Sequence, residues 1–353
     1  MAAGSHGPTA ATEALLAGVL RGEGQGLAAE YPLVFGDRAA GQQVTVQQDG
    51  RPVAGLAILR RTLLCRGVHL PVGLIGSVAT DPAYRGRGYA SAVLEEAERV
   101  LEGAGCAMAL LWADEADFYS ARGWAPVGTE VNHALPPAAA ALLPSPLGVR
   151  RYRGADGPLL HSLYCTHETR VARSEEETVS LLAAPGMTTL VLERDGAVCA
   201  YACEGRGADL GGAIHEWAGA PLDVLALIRA HLERAGGPLV LMSPPSASGV
   251  LHYLEALGVE SRTGVLGMGK LLSTQAAAQV LHSACPEALV EATDTGVELT
   301  GPLGSVALSR TETLLTLAGP PGLRGVVVEA ELKAGCPLAG LPLEPFCWGL
   351  DSI

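Results

Sequence analysis

Between Asp81 and Ala90 the sequence reads Asp-Pro-Ala-Tyr-Arg-Gly-Arg-Gly-Tyr-Ala. Arginine and glycine alternate over Arg85, Gly86, Arg87 and Gly88, immediately ahead of a stretch with helical spacing. A loop opening a helix leaves backbone N–H groups without acceptors, at the positive end of the helix dipole. Gly86 and Gly88 lack a Cβ, so an anion can come close to the main chain. Arg85 and Arg87 add fixed positive charge in an acidic chain. That chemistry is the cradling of a pyrophosphate. It is not a Walker loop, because no Lys-Ser/Thr follows the glycines. Nor is it a dinucleotide fingerprint, since the preceding strand belongs to an antiparallel meander and no acidic strand end follows about 20 residues on.

A second group of chemically useful residues lies downstream, Phe118-Tyr119-Ser120-Ala121-Arg122-Gly123-Trp124. The chain has only three Phe and eight Tyr, so an adjacent pair stands out from the background. His215-Glu216 invites a metal or catalytic reading. Neighbours on a strand point to opposite faces and cannot chelate together, so the pair reads as packing or acceptor-pocket lining, and no metal is expected. Eight cysteines without a C-x-x-C pair carry neither a zinc nor a redox motif. Cys199 and Cys203 read as buried thiols on one strand face, and Tyr253 reads as core.

The elements that must position these groups follow from periodicity. Alternating Gln43–Gln48, the turn Asp49-Gly50, the apolar run Val53–Leu64, the turn Arg66-Gly67 and His69–Thr80 predict three antiparallel strands. After the Gly/Arg loop, apolar residues at 90, 93, 94, 97, 100 and 101 predict an amphipathic helix ending at Gly103–Gly105. Cys106–Trp112 predicts a strand buried on both faces, and a short helix covers about Asp117–Arg122. Residues 134–148 read as an Ala- and Pro-rich connector.

The same outline recurs. Thr188–Glu193, Ala197–Cys203 and Gly211–Ala218 predict strands, Pro221–Arg234 a helix with Pro at its first position, Pro238–Met242 a buried strand and Gly249–Gly258 a short helix. Ser174 ahead of Glu175-Glu176-Glu177 reads as the cap of a solvated helix start. The repeat predicts a duplicated α/β (α+β) unit over 1–145 and 146–272, with a small α+β region over 273–353. The junction Trp217-Ala218-Gly219-Ala220-Pro221 has no arginine and no Gly-x-Gly, so the second copy is degenerate as a phosphate site.

Strand, Gly/Arg loop, helix, strand and aromatic helix in this order resemble the GNAT N-acetyltransferases. Arg85, Gly88 and Ala90 match the family's Arg/Gln-x-x-Gly-x-Gly/Ala motif, and Phe118 to Trp124 matches its Phe-Tyr-x-x-x-Gly-Phe/Trp pattern. The motif resemblance covers about residues 70–125. It implies a mixed, mostly antiparallel sheet flanked by helices in each unit. It also implies that acetyl-CoA is a co-substrate. Val78, Ala79 and Thr80 would then meet the pantetheine arm and acetyl carbonyl, and Gly86, Arg87, Gly88, Tyr89, Ala90 and Ser91 would wrap the pyrophosphate beside Arg85. Asp114 stands where many members carry an Asn, and Tyr119 matches the general acid. The role is chemically sound: a phenol with a pKa near 10 is protonated at neutral pH and can serve a departing thiolate.

Two such units and a smaller third region are similar in architecture to the enhanced intracellular survival (Eis) acetyltransferases. This likeness implies a third domain similar to a sterol carrier protein, and a terminal carboxylate, here that of Ile353, entering the active site as base. The strand Leu70–Thr80 holds no carboxylate, and Asp81 beside Pro82 reads as a cap, so the residues themselves leave the base open.

Composition bounds the rest. The chain has 353 residues, 48% of them apolar and 17% charged, enough for a packed core. Mean hydropathy is +0.27, yet no apolar run approaches the roughly 20 residues of a membrane span. Residues 1–20 do not read as a signal peptide, so a cytoplasmic setting is expected. A net charge of −13 argues against a nucleic-acid partner and favours a cationic small-molecule or peptide amine. Self-association stays open. No nucleophile sits beside a His, which disfavours a covalent intermediate. The reading is acetyl transfer to a primary amine by direct attack. The alternative is a non-catalytic acyl-CoA-binding regulatory or scaffold protein.

Overall fold

The structure is a computed structural model of the chain and describes residues 3–7, 9–22, 26–36 and 39–353. The first part runs β1 (Ala3–His6), α1 (Ala10–Leu20), α2 (Pro32–Phe35), β2 (Gln42–Gln48), β3 (Arg51–Cys65) and β4 (Val68–Thr80). Asp49-Gly50 and Arg66-Gly67 take positive φ at both residues. That mirror-image turn geometry matches the twist of the long hairpins they close. Then come α3 (Tyr89–Gly103), β5 (Met108–Leu111), α4 (Ala116–Ser120) and β6 (Ala125–Val127). Helix α3 buries Val93, Leu94, Ala97 and Leu101, with each of the larger aliphatic side chains contributing about 1.5–3 kcal/mol. Leu101 lies directly on Gly73 of β4, where a Cβ would overlap its side chain. All four residues of β5 are buried, as a strand parallel to β4 and covered on both faces must be.

The second part comprises β7 (Glu130–Leu135), β8 (Val149–Arg151), α5 (Gly157–Tyr164), β9 (Thr169–Val171), α6 (Glu175–Leu181), β10 (Thr188–Arg194), β11 (Ala197–Glu204), β12 (Ala213–Gly219), α7 (Pro221–Ala235), β13 (Leu239–Ser243), α8 (Ser248–Ala256), β14 (Ser261–Gly264) and β15 (Gly267–Leu271). Ser174 and Glu177 form a capping box on α6. The stretch read as a connector over 134–148 still belongs to β7 up to Leu135. Tyr253, read as core, is 42% exposed. The buried residues of α8 are Val250, Leu251 and Leu254, and Tyr253 falls on the flank of that arc.

Two large sheets result, ordered β1-β2-β3-β4-β5-β15-β6 and β8-β10-β11-β12-β13-β7-β14, with β9 also pairing β3. Position by position the pairings agree. The fourth and fifth strands are parallel in both sheets (β4–β5 and β12–β13), and every other neighbouring pair is antiparallel. The sixth positions are exchanged. Strand β15 lies within 146–272 but completes the first sheet, and β7 lies within 1–145 but completes the second. Both strands therefore pair across the division expected at 145.

The remainder folds as α9 (Thr274–Ala284), β16 (Leu289–Thr293), β17 (Gly296–Gly301), β18 (Gly304–Ser309), α10 (Arg310–Ala318) and α11 (Gly325–Ala334), around a three-stranded antiparallel sheet. The chain then returns, and Phe346, Trp348 and Leu350 are almost wholly buried. None of the described helices is long and apolar enough to cross a membrane.

Candidate active site

The parallel pairing of β4 with β5 runs from Val72–Met108 to Leu74–Leu110 and stops there. Beyond it the two strands splay. On its other edge β4 carries a bulge: Gly76 faces Ala57 and Ala79 faces Gly55, so two residues of β4 lie opposite one of β3 between the two pairs. Ser77 takes φ +53 in the bulge, an uncommon conformation for a residue with a Cβ. The result is a cleft of about 1100 Å³ lined by Gly76–Thr80 on one side and Leu111–Glu115 on the other.

The Gly/Arg loop closes one end. Asp81 Oδ1 accepts from Ala83 N at 2.9 Å and caps the single turn Pro82–Tyr84. Arg85 Nε donates to Thr80 O at 3.3 Å, tying the loop to the strand end. Gly86 and Gly88 have φ +74 and +81, and a Cβ on either would meet nothing within 4 Å. These glycines are therefore required by the backbone turn and not by crowding. Helix α3 starts after Gly88 with no side-chain cap, so its first-turn N–H groups stay available to an outside acceptor.

Of the residues singled out in the sequence, Val78, Ala79, Thr80, Arg85, Gly86, Gly88, Tyr89, Ala90, Ser91, Asp114, Tyr119 and Ile353 all line this one cleft. Arg87 does not: its guanidinium lies over the Tyr84 ring, 5.3 Å from the centroid, and donates to Ala83 O at 3.2 Å. The Tyr84 face and a free carbonyl hold it on the outside of the loop.

Tyr119 is 9% exposed and packs edge-on against Phe118 at 5.0 Å and Trp124 at 5.9 Å. Burial pushes its phenol above the ordinary 10.0, and the charges of Glu115 and Asp114 push the same way against Arg122. Arg122 was not singled out in the sequence. It stacks on Phe118 at 3.8 Å and donates to Ser91 Oγ through Nη2 at 2.7 Å and Nε at 3.1 Å. It thereby fixes the aromatic helix against the start of α3. Its place inside the Phe-Tyr-x-x-x-Gly-Trp run was the available signal.

The far wall comes from the second unit and the tail. Glu130 on β7, Asp209 and Leu210, Met242 on β13, Cys347, Gly349, Ser352 and Ile353 line it. Glu130 is held above the usual carboxylate range by burial, partly offset by Asn132, which donates to Oε1 at 2.8 Å. Asp209 is engaged by Arg21 and by the Tyr31 hydroxyl. Ile353 reaches β4 itself: a Cβ on Gly76 would overlap the terminal carboxylate and lie 2.9 Å from Ile353 Cγ1. The tail is seated by Trp348, which stacks on His167 at 4.2 Å and donates to Thr169 O at 3.1 Å. His215 and Glu216 are both fully buried and serve this seat. A Cβ on Gly349 would overlap the His215 ring, and Glu216 pairs with Arg173 at 2.6 Å. Among the described residues no group of three or more His, Cys, Asp or Glu is arranged to hold a metal.

A splayed parallel strand pair, a bulge before the splay and an uncapped helix at its mouth thus frame one open cleft with unpaired main-chain groups along its walls. Residues 37–127 match the acetyltransferase (GNAT) domain family, and the chain carries a GNAT domain. Over 87 residues it is 37% identical to an aminoglycoside 2'-N-acetyltransferase of Mycolicibacterium fortuitum; the match covers 24% of this chain and 45% of that protein's length. A GCN5-related N-acetyltransferase structure from Anabaena variabilis is similar over 99% of this chain and 100% of its own, with a TM-score of 0.68 at 14% identity. The Eis1 structure of Mycobacterium abscessus is similar over 78% of this chain and 76% of its own, with a TM-score of 0.52 at 15% identity. The fold is thus that of a GNAT protein with Eis-like architecture.

Proposed function

We propose that the chain is an acetyl-CoA-dependent N-acetyltransferase that acetylates a primary amine by direct attack. One observation carries the reading. The uncapped start of α3, the Tyr119 phenol and the Ile353 carboxylate all border a single cleft. The helix start accepts the diphosphate. Main-chain groups of Val78–Thr80, beyond the last β4–β5 pair, bind the pantetheine arm and polarise the acetyl carbonyl. The terminal carboxylate takes a proton from the acceptor ammonium, and the neutral amine attacks the thioester carbon. Collapse of the tetrahedral adduct breaks the C–S bond, and Tyr119 gives its proton to the leaving sulfur. The proton shed by the adduct nitrogen as it becomes the amide restores the Tyr119 phenol through solvent, while the carboxyl group returns its proton to water.

The acceptor in this reading is a small cationic amine. Support comes from the carboxylates on the cleft wall, Asp114, Glu115 and Glu130, and from the relative named for transfer to aminoglycosides. The test is thiol release from acetyl-CoA over a panel of aminoglycosides, polyamines and basic peptides, with Tyr119→Phe as control. Turnover of a panel member, lost in the control, supports the reading. A melting temperature raised by acetyl-CoA with no amine turned over replaces it with an acyl-CoA-binding module. No thermal shift at all removes both.

A further inference from the structure

Arg206 sits in the loop between β11 and β12 and is 2% exposed. Among the described residues no carboxylate lies within ion-pairing distance of it. A buried guanidinium without a counter-charge is expensive, and a Leu or Met would fill the same space without the desolvation penalty. What offsets the penalty is main-chain oxygen. Nη1 donates to Gly349 O at 2.7 Å, Ser352 O at 3.0 Å and Ser352 Oγ at 3.3 Å, and Nε donates to Glu30 O at 3.0 Å. Its flat face rests on the Tyr31 ring, 4.3 Å from the centroid.

The two carbonyls on Nη1 bracket the final turn, Gly349–Asp351, and the second belongs to the residue bonded to Ile353. The other tail anchors act earlier, at Trp348 and Asp351. Arg206 therefore grips the chain one peptide bond before the carboxylate that abuts Gly76.

We propose that Arg206 is a positioning residue that holds the C-terminal carboxylate of Ile353 at Gly76, so that the degenerate second unit serves the first through the tail. The inference rests on the terminal carboxylate acting as base. The rigid guanidinium holds Nη1 on the two tail carbonyls while Nε is fixed on Glu30 O, an arrangement that a lysine ammonium on a flexible stem reproduces poorly.

The test has two arms on the full-length chain. In the first, carboxypeptidase A is added and release of Ile353 is followed by mass spectrometry, below the melting temperature of each variant. Wild type is expected to stay protected, Arg206→Gln to release Ile353 at least 10-fold faster, and Arg206→Lys to fall between. Should Arg206→Gln not fold, Arg206→Lys against wild type decides the arm. Equal protection of wild type and the folded variants overturns the proposal.

The second arm measures kcat and KM with kanamycin, or with spermidine if kanamycin is not acetylated, for Arg206→Gln, a chain lacking Ile353, and the combination. Action through the carboxylate predicts that the combination is no slower than the shortened chain alone, with the loss falling on kcat. Multiplying losses overturn the proposal, because Arg206 would then act by another route. A shortened chain with undiminished kcat instead defeats the terminal base itself, an outcome distinct from either failure of Arg206.

Discussion

Gly76 and Ile353 occupy space that admits no side-chain carbon on the strand: a Cβ at position 76 would overlap the terminal carboxylate. Gly76 does not need a left-handed backbone, so alanine there is conformationally allowed and acts through space alone. Gly76→Ala is expected to push the terminus off β4 and lower kcat by about 10- to 100-fold, while leaving the melting temperature within a few degrees. A positioned acid or base contributes typically 10²–10⁴-fold, and a displaced one retains part of that. Steady-state kinetics beside a thermal melt checks this, and an unchanged kcat would remove the terminal carboxylate from the reaction.

Tyr119 is held protonated beyond the ordinary phenol range by burial, reinforced by Glu115 and Asp114. A general acid works while it carries its proton, and a raised pKa keeps it protonated as the pH climbs. Activity is therefore expected to persist past pH 10 wherever the fold does. Tyr119→Phe removes the proton donor but keeps the packing against Phe118 and Trp124. It should lower kcat by about 10²- to 10³-fold and leave the acetyl-CoA thermal shift in place. A loss of the thermal shift with kcat per bound enzyme intact would assign Tyr119 to binding instead.

The local signals in the sequence were sufficient for the Gly/Arg loop at the cleft mouth and poor for the far wall. Arg85–Ser91 sits where a strand-to-helix junction must expose amides, a property of contiguous residues. The two hairpins were equally legible, because Asp49-Gly50 and Arg66-Gly67 specify their turns. The exchange of β7 and β15 was not, since periodicity says that a strand forms and nothing about which sheet receives it. Glu130 and Asp209 likewise meet the cleft only through tertiary placement. The resemblance pointed to Ile353, but the glycine that makes room for it and the arginine that grips its neighbour lie 277 and 147 residues upstream (353 − 76 and 353 − 206).

The strand exchange makes the two sheets interdependent. A fragment of residues 1–145 would lack β15, leaving β5 and β6 with no strand between them and exposing apolar edges. This fragment is expected to aggregate or stay unfolded by circular dichroism. Fragments 1–145 and 146–353, produced together, should associate and recover the native spectrum, because every strand of both sheets is then present. A monomeric, cooperatively melting 1–145 fragment would show that the exchange is not needed for folding.

Arg173 sits fully buried between Glu216 at 2.6 Å and Asp351 at 3.4 Å. Tyr164 accepts from Val171 N and donates to Asp351 Oδ2 at 2.7 Å, while Asp351 Oδ1 has no protein partner. Burial pushes the Asp351 carboxyl up, and the Glu216 charge adds to this against Arg173. A carboxyl raised on folding binds more protons in the native state than in the unfolded one. Its contribution is fully present below the unfolded pKa of about 3.9 and is lost as pH rises through the higher folded value. Asp351→Asn keeps the shape of the neutral form, so it should match or exceed wild-type stability at pH 7 and flatten the stability curve above pH 4. Arg173→Met leaves the buried Glu216 carboxylate without its counter-charge and should lower stability by about 3–5 kcal/mol at pH 7. Urea denaturation at pH 4 to 7 separates the two. An Asp351→Asn chain destabilised as much as Arg173→Met at pH 7 would mean that Asp351 is held as a full anion by Arg173.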